Sequence, residues 1–309
     1  MINEKYIEQV KLLLEVLPLI ANEKCFALKG GTAINMFYNN LPRLSVDIDL
    51  VYTVIENRED SCTHINEALQ RLKAAFTKIG FSANITGTNV EKKIICSNSV
   101  TSIKIEPNYT LRGTVLSTVF ADVYPKVEEE FAYAGMNVLA KEEVYAGKIC
   151  AALDRQHPRD LFDITQLYEN GGLTDKMLDV FLYYLLGHNR PVHEVLNCNI
   201  QDKQEIMQTE FVGMTDIPFT YEQHCKTLKR LKVDLLQRLN KHYEFISDFV
   251  QLKADFSKSP FPEAEKLPAL QWKLRNLNVL KEKDFNKFEQ QKKELDKIFL
   301  KYTKKHIKK

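Results

Sequence analysis

The chain has 309 residues, of which 44 % are hydrophobic and 27 % are charged, and its formal net charge is +2. This composition is ordinary for a globular protein with one large core or two smaller ones, and no apolar run reaches the ~20 residues that span a bilayer. The overall charge does not by itself indicate a strongly basic nucleic-acid-binding protein. However, residues 281–309 carry eleven Lys against five acidic residues.

The cysteines predict a reducing compartment. None of the six forms a Cys-x-x-Cys pair, and their spacing does not fit a zinc site. Residues 1–30 lack the cationic start and the small-residue cleavage site of a signal peptide. We therefore expect a cytoplasmic protein without a membrane-bound part.

The first elements lead into a glycine turn. Apolar residues at helical spacing predict a helix over residues 7–20, and a short apolar run predicts a strand over residues 25–28. Gly30 and Gly31 follow, and they allow the strand to turn sharply into a helix from Thr32. Bare backbone N–H groups at such a helix start bind phosphate well.

An acidic strand comes next. Val46, Ile48 and Leu50 alternate with Asp47 and Asp49, so the apolar set can pack into a core while both carboxylates lie on the other face. Two carboxylates held this close repel each other unless a cation bridges them. The pattern therefore predicts a site for a hard divalent ion, Mg²⁺ first and Mn²⁺ as an alternative.

These two motifs together carry a family resemblance. The segment GGTAINMFYNNLPRLSVDIDL resembles the signature of the DNA polymerase β-like nucleotidyltransferases and, in its fuller form, the AbiEii/AbiGii toxin branch. The resemblance implies an α+β fold with an N-terminal mixed β-sheet, flanking helices and a C-terminal helical bundle. It also implies that Gly30, Gly31 and Thr32 hold the β- and γ-phosphates of a nucleoside triphosphate (NTP), with further contacts from Arg43 and Ser45.

The middle of the first half predicts a helix over residues 61–79 and short strands over residues 81–85, 92–96, 102–106 and 136–139. In the third of these strands Ile103 and Ile105 point one way, so Lys104 and Glu106 point the other. The resemblance makes Glu106 the candidate third carboxylate ligand of the metal. An ordinary solvent-facing glutamate on a half-buried strand would show the same alternation.

A second block follows. The sequence predicts a helix over residues 142–153, a break at Pro158 and a helical restart. EEVYAGKICAALDRQHPRDLFDI resembles the second signature block of the AbiEii family, which implies site residues Lys148, Arg155, Arg159, Asp160 and Asp163. In that interpretation Lys148 neutralises the triphosphate, and Asp160 or Asp163 orients Lys148, Arg155 or the acceptor. A plain salt-bridged helix hairpin would hold the same residues.

The remainder predicts helices alone. We expect a short helix over residues 179–186, a long one over residues 226–252, a proline-interrupted linker over residues 258–268 and a last helix from about residue 284. The lysines of that last helix either face solvent or contact an RNA backbone. The densest of them are Lys304, Lys305, Lys308 and Lys309.

Together these observations predict a nucleotidyltransferase-like domain over residues 1–140 and a helical domain over residues 141–309 that completes the active-site cleft. The resemblance implies a bacterial toxin of a type IV toxin–antitoxin pair that transfers a nucleoside monophosphate (NMP) from Mg-NTP and has a cognate antitoxin encoded nearby. The expected acceptor is RNA, as in relatives that modify the 3′ end of tRNA. Two alternatives are transfer to a protein hydroxyl and nucleotide binding without turnover, although the repulsive pair Asp47 and Asp49 argues against the latter.

Overall fold

The structure, a computed structural model, describes residues 2–306, with side chains up to Lys301. The four lysines singled out near the C-terminus, or their side chains, lie outside the described residues. Within the described range, no helix is both long enough and apolar enough to cross a membrane.

The chain forms two compact units. Met1–Val144 and Gln208–Pro218 form the first, and Tyr145–Met207 and Phe219–Lys309 form the second. The sequence did not indicate that residues 208–218 would join the first unit. In that unit the backbone N–H of Leu44 donates to the carbonyl of Met214 at 2.7 Å, and the hydroxyl of Thr215 donates to the carbonyl of Pro42 at 2.7 Å. This segment therefore supports the loop that precedes the acidic strand.

A seven-stranded mixed sheet forms the centre of the first unit, as the α+β prediction requires. Its strand order is β3-β4-β5-β2-β1-β7-β6, with β2 parallel to β5 and β1 parallel to β7, and the other neighbours antiparallel. The strands are β1 (Phe26–Lys29), β2 (Asp47–Tyr52), β3 (Ser82–Gly87), β4 (Lys92–Ser97), β5 (Ser102–Asn108), β6 (Val119–Asp122) and β7 (Gly135–Val138). The edge strand β6 was not predicted, because its residues are mostly exposed and show no apolar alternation.

The helices of the first unit bury their apolar faces in its core. They are α1 (Glu4–Ile20), α2 (Gly30–Thr32), α3 (Arg58–Lys78) and α4 (Pro125–Glu130), and α5 (Lys141–Asp154) begins in this unit. The helix predicted over residues 61–79 is confirmed as α3, and its apolar residues Ile65, Leu69, Leu72 and Phe76 are all buried. The predicted end is wrong by one residue: Ile79 follows the helix and is 53 % exposed.

The second unit is built from helices: α6 (Pro158–Glu169), α7 (Asp175–Leu186), α8 (Val192–Leu196), α9 (Gln204–Glu210), α10 (Tyr221–Arg238), α11 (Tyr243–Val250), α12 (Pro268–Lys283) and α13 (Phe285–His306), although residues 208–210 of α9 belong to the first unit. The prediction of one helix over residues 226–252 is wrong, because a 3₁₀ turn at Leu239–His242 separates α10 from α11. Tertiary contacts hold this turn: His242 Nε2 lies 2.8 Å and Lys241 Nζ 3.0 Å from Asp179 Oδ1 on α7. Pro268, expected in a linker, instead begins α12, where its missing N–H costs nothing.

Candidate functional site

The glycine turn joins β1 directly to a helix. Lys29 ends the strand with extended backbone, and Gly30 then adopts φ +72°, a left-handed conformation that favours glycine. One α-helical turn, Gly30–Thr32, is followed by a π-helical segment, Ala33–Tyr38, a rare geometry that is frequent at functional sites. The Asn35 side-chain amide donates to the Gly31 carbonyl at 2.8 Å and so anchors the turn.

Each glycine of the turn lies against a different predicted site residue. A Cβ atom at Gly30 would lie 3.2 Å from Cβ and Cγ of Asp49 and would overlap its Oδ2. A Cβ atom at Gly31 would lie 2.7 Å from Arg43 Nη2 and 3.0 Å from Ser45 Oγ. The absence of both side chains therefore lets the turn backbone approach the acidic strand and the loop before it.

The loop before β2 is fixed to the start of the helix. The hydroxyl of Thr32 donates to the backbone carbonyl of Asp47 at 2.6 Å and lies 3.0 Å from Ser45 Oγ. Arg43 is buried, and its Nη1 donates to the carbonyl of Leu44 at 2.8 Å. The structure thus brings the predicted phosphate-binding residues of the first signature block together, with the Arg43 cation beside the start of a helix.

The acidic strand has the predicted alternation. Ile48 and Leu50 are completely buried, whereas Asp47 and Asp49 are half-buried on the other face. In the sheet register Asp49 lies between Lys29 of β1 and Glu106 of β5. The two carboxylates lie two residues apart on one strand, beside the two glycines of the turn. Their oxygen atoms form a donor set that fits Mg²⁺.

Glu106 lies next to Asp49 in the register but contacts a cation. Its Oε1 is 2.7 Å from Lys93 Nζ of the neighbouring strand β4. Among residues 2–306, no three His, Cys, Asp or Glu side chains are grouped closely enough to hold an ion. The role of Glu106 as a third ligand therefore stays a prediction.

The second signature block forms a compact ion cluster within the helical unit. Lys148 Nζ on α5 lies 2.8 Å from Asp160 Oδ1 and 3.0 Å from Asp163 Oδ2 on α6. Arg155 binds Asp160 with two hydrogen bonds, of 2.7 and 3.0 Å. Both carboxylates are buried and the Lys148 side chain is 6 % exposed, whereas the Arg155 side chain is 60 % exposed.

Charge compensation keeps the buried carboxylates ionised. Burial would raise the pKa of Asp160, but Lys148 and Arg155 outweigh it and hold this pKa well below its usual value. Asp160 also lies in the first turn of α6, where a negative charge is favourable. Lys148 is therefore part of the packing of this unit, since replacing it by Glu would bury three carboxylates together.

Arg159 follows the N-cap of α6. Its backbone N–H donates to the His157 ring at 3.1 Å, and its side chain is half-buried. The predicted contact of Arg159 with the nucleotide stays a prediction.

Three residues beside the glycine turn and the acidic strand were not predicted from the sequence. Lys29 pairs with Asp49 in the register of β1 and β2, Asn35 anchors the turn, and Lys93 binds Glu106. Lys29 immediately precedes Gly30, and Asn35 follows Gly31 by about one helical turn, so both could have been identified by spacing. Lys93 could not, because it depends on the pairing of β4 with β5.

Comparisons with known proteins give one family and one shared fold. A family model described as "Nucleotidyl transferase AbiEii toxin, Type IV TA system" matches residues 11–276. A search of curated proteins finds no significant match. Among solved structures, the nucleotidyltransferase toxin MenT4 from Mycobacterium tuberculosis H37Rv superposes with a TM-score of 0.57 at 14 % identity. This match covers 81 % of this chain and 94 % of that chain, and it indicates a common fold. The CdnE cyclic dinucleotide synthase from Elizabethkingia meningoseptica superposes with a TM-score of 0.24 at 12 % identity, covering 91 % and 99 % of the two chains.

Proposed function

The chain belongs to the AbiEii nucleotidyltransferase toxin family of type IV toxin–antitoxin systems, and we propose that it transfers an NMP from an NTP to the 3′ end of an RNA, with tRNA as the expected acceptor. Family membership implies an NTP substrate and an antitoxin partner. The observation that carries the proposal is the packing of Gly30 against Asp49 and of Gly31 against Arg43 and Ser45.

In this proposal the turn binds the triphosphate. The backbone N–H groups of Gly30, Gly31 and Thr32 donate to the β- and γ-phosphates, since a helix start attracts anions. The guanidinium of Arg43, which lies against Gly31, adds positive charge beside the turn. Ser45, through its contact with the Thr32 hydroxyl, holds the loop in register with the helix start.

The acidic strand binds the divalent ion. Asp47 and Asp49 would hold Mg²⁺ or Mn²⁺, with Glu106 as a proposed third ligand. When bound, the ion neutralises charge on the triphosphate and lowers the pKa of the acceptor hydroxyl. The hydroxyl oxygen bonds to the α-phosphorus, the bond to the pyrophosphate oxygen breaks, pyrophosphate leaves and the hydroxyl proton passes to solvent.

We assign the ion cluster of the second unit a supporting role in the same reaction. Arg155 is the member whose exposure suits contact with a ligand, while Lys148, Asp160 and Asp163 hold it in position. Nucleotide contacts from Arg155 and Arg159, and closure of the active-site cleft by residues 141–309, stay predictions.

The test is transfer of label from each α-³²P-NTP by purified protein incubated with total bacterial RNA or with lysate. The proposal expects labelled material that nuclease removes and protease does not, and no label with Asp47→Asn. Label removed only by protease would indicate a protein hydroxyl as acceptor. Nucleotide binding without any transfer would contradict enzymatic function.

A further inference from the structure

Helices α6 and α10 border a pocket that lies entirely within the helical unit, away from the residues of the candidate site. Its volume is about 310 Å³. The lining is polar and contains two cations, a carboxylate, a phenol and two hydroxyls, contributed by Thr165, Tyr168, Glu169, Lys226, Thr227 and Arg230. None of these residues takes part in the site described above.

A flat cationic surface lies at this pocket. The guanidinium of Arg230 stacks on the ring of Tyr168, with Cζ 3.7 Å from the ring centroid. Asp234 holds both groups: its Oδ2 accepts a 2.8 Å hydrogen bond from the Tyr168 hydroxyl and lies 3.6 Å from Arg230 Nε. The Arg230 side chain is nevertheless 60 % exposed, so the face of the guanidinium opposite the ring is open to a ligand.

The rest of the lining combines a cation with hydrogen-bonding groups. Lys226 pairs with Glu222 at 2.8 Å, but both side chains are more than 70 % exposed, so the pair is weak and Lys226 can exchange partners. The hydroxyls of Thr165 and Thr227 lie 2.8 Å apart and bridge the two helices. Glu169 accepts a 2.8 Å hydrogen bond from Gln166, which holds a carboxylate acceptor at the pocket.

These groups match the parts of one nucleotide. Unstacked bases bind to aromatic rings and to the planes of arginine guanidinium groups, and phosphates bind lysine. A carboxylate accepts hydrogen bonds from an exocyclic amine, which cytosine and adenine carry and uracil lacks. A free phosphate alone would not stack on the guanidinium of Arg230, and Glu169 would repel it.

We propose that this pocket binds one unstacked nucleotide of a single-stranded RNA, with its base on Arg230, its amine at Glu169 and its phosphate at Lys226. The inference rests on the proposed function in that it assigns the pocket to the acceptor strand. The pocket shares α6 with the ion cluster: Tyr168 follows Asp160 by eight residues, which corresponds to about 12 Å along the helix axis. An RNA held here would lie near the exposed Arg155.

Fluorescence anisotropy of labelled RNA hexamers tests the pocket with the full-length protein. The probes are oligo(A), oligo(C) and oligo(U), measured at several salt concentrations. Arg230→Lys keeps the charge but removes the planar group, and should weaken oligo(A) binding about tenfold. Lys226→Ala should lower the salt slope by about 0.7, while Lys229→Ala, an exposed lysine of the same helix outside the pocket, should leave the slope unchanged.

The outcomes separate this inference from the proposed function. Oligo(A) and oligo(C) should bind at least about fivefold more tightly than oligo(U), which has no amine to donate to Glu169. Equal affinities for the wild type and Arg230→Lys, or no preference over oligo(U), would overturn the inference. So would AMP or CMP binding as tightly as the hexamers, since the ligand would then be a free nucleotide. Asp47→Asn should bind the hexamers as the wild type does, because the substitution lies outside the pocket. Wild-type protein that binds the hexamers but does not label RNA would count against the proposed function alone.

Discussion

Gly30 and Asp49 are in contact across the turn between β1 and the following helix, so that no side chain fits at residue 30 without displacing the carboxylate. The two residues are nineteen positions apart, yet the conformation of one sets the space available to the other. This contact links the phosphate-binding turn to the acidic strand.

Gly30→Ala should therefore reduce nucleotide transfer by at least about 100-fold, because the new Cβ displaces Asp49. It should also destabilise the protein by about 1–2 kcal/mol through its positive φ. Gly80→Ala is the matched control, since Gly80 also has positive φ (+94°) but nothing within 4 Å of a built Cβ. Both variants should lose stability in urea unfolding, and only the first should lose activity. Wild-type activity of Gly30→Ala would remove the contact from the site.

Asp47→Asn and Asp49→Asn each keep the shape of the side chain and remove a charge. Each should reduce transfer by at least about 100-fold, because charge stabilisation of the reacting phosphate is lost. Thermal unfolding in metal-free buffer should show equal or slightly higher stability, since the repulsion between the carboxylates is relieved. Glu67→Gln, an exposed carboxylate on α3, serves as the control and should change neither quantity. An active Asp47→Asn variant would end the nucleotidyltransferase interpretation of this strand.

The ion pair between Glu106 and Lys93 allows a test of whether Glu106 binds the metal ion together with Asp47 and Asp49. If Glu106 ligates the ion, Glu106→Gln should raise the Mg²⁺ concentration needed for half-maximal transfer. Lys93→Ala, which releases the carboxylate from its 2.7 Å contact, should lower that concentration. Titrations of activity against Mg²⁺ for the three proteins measure the effect. Identical titration curves would assign Glu106 to the Lys93 ion pair only.

Lys148→Met tests the buried ion cluster. The substitution leaves Asp160 and Asp163 buried without their shared ammonium, and should lower the free energy of unfolding by about 3–5 kcal/mol. Arg155→Ala removes an exposed partner of Asp160 and should cost only about 1 kcal/mol or less. Urea denaturation compares the two variants with the wild type. A similar small loss in both would mean that Lys148 does not hold the two helices together.

Acid titration of stability should reveal Asp160. Its pKa is lower in the folded state than in the unfolded chain, where an aspartate titrates near 3.9, so its stabilising contribution is complete above the unfolded value. That contribution is lost as the pH falls below about 5 toward the folded pKa. The wild type should therefore lose stability more steeply than Asp160→Asn over this range, in urea unfolding at successive pH values. Parallel curves of stability against pH for the two proteins would show that the pKa of Asp160 does not differ between the folded and the unfolded state.

The sequence by itself determined the features that depend on neighbouring residues. A left-handed turn needs glycine locally, and the alternation of Asp47, Ile48, Asp49 and Leu50 assigns faces within one strand, so the turn and the carboxylate pair were predictable. The spacing of apolar residues likewise predicted the helix α3. The family resemblance then connected these motifs to a nucleotidyltransferase fold.

Only the tertiary structure decided which distant charges meet. The pairing of β4 with β5 brings Lys93 to Glu106, and the packing of α5 on α6 buries Lys148 between two aspartates. The predicted long helix is likewise interrupted from residue 239 by a 3₁₀ turn that contacts Asp179, although buried apolar residues continue through α11. Periodicity gives the face on which a side chain lies but not its partner from another element, because that partner is selected by strand register and helix packing.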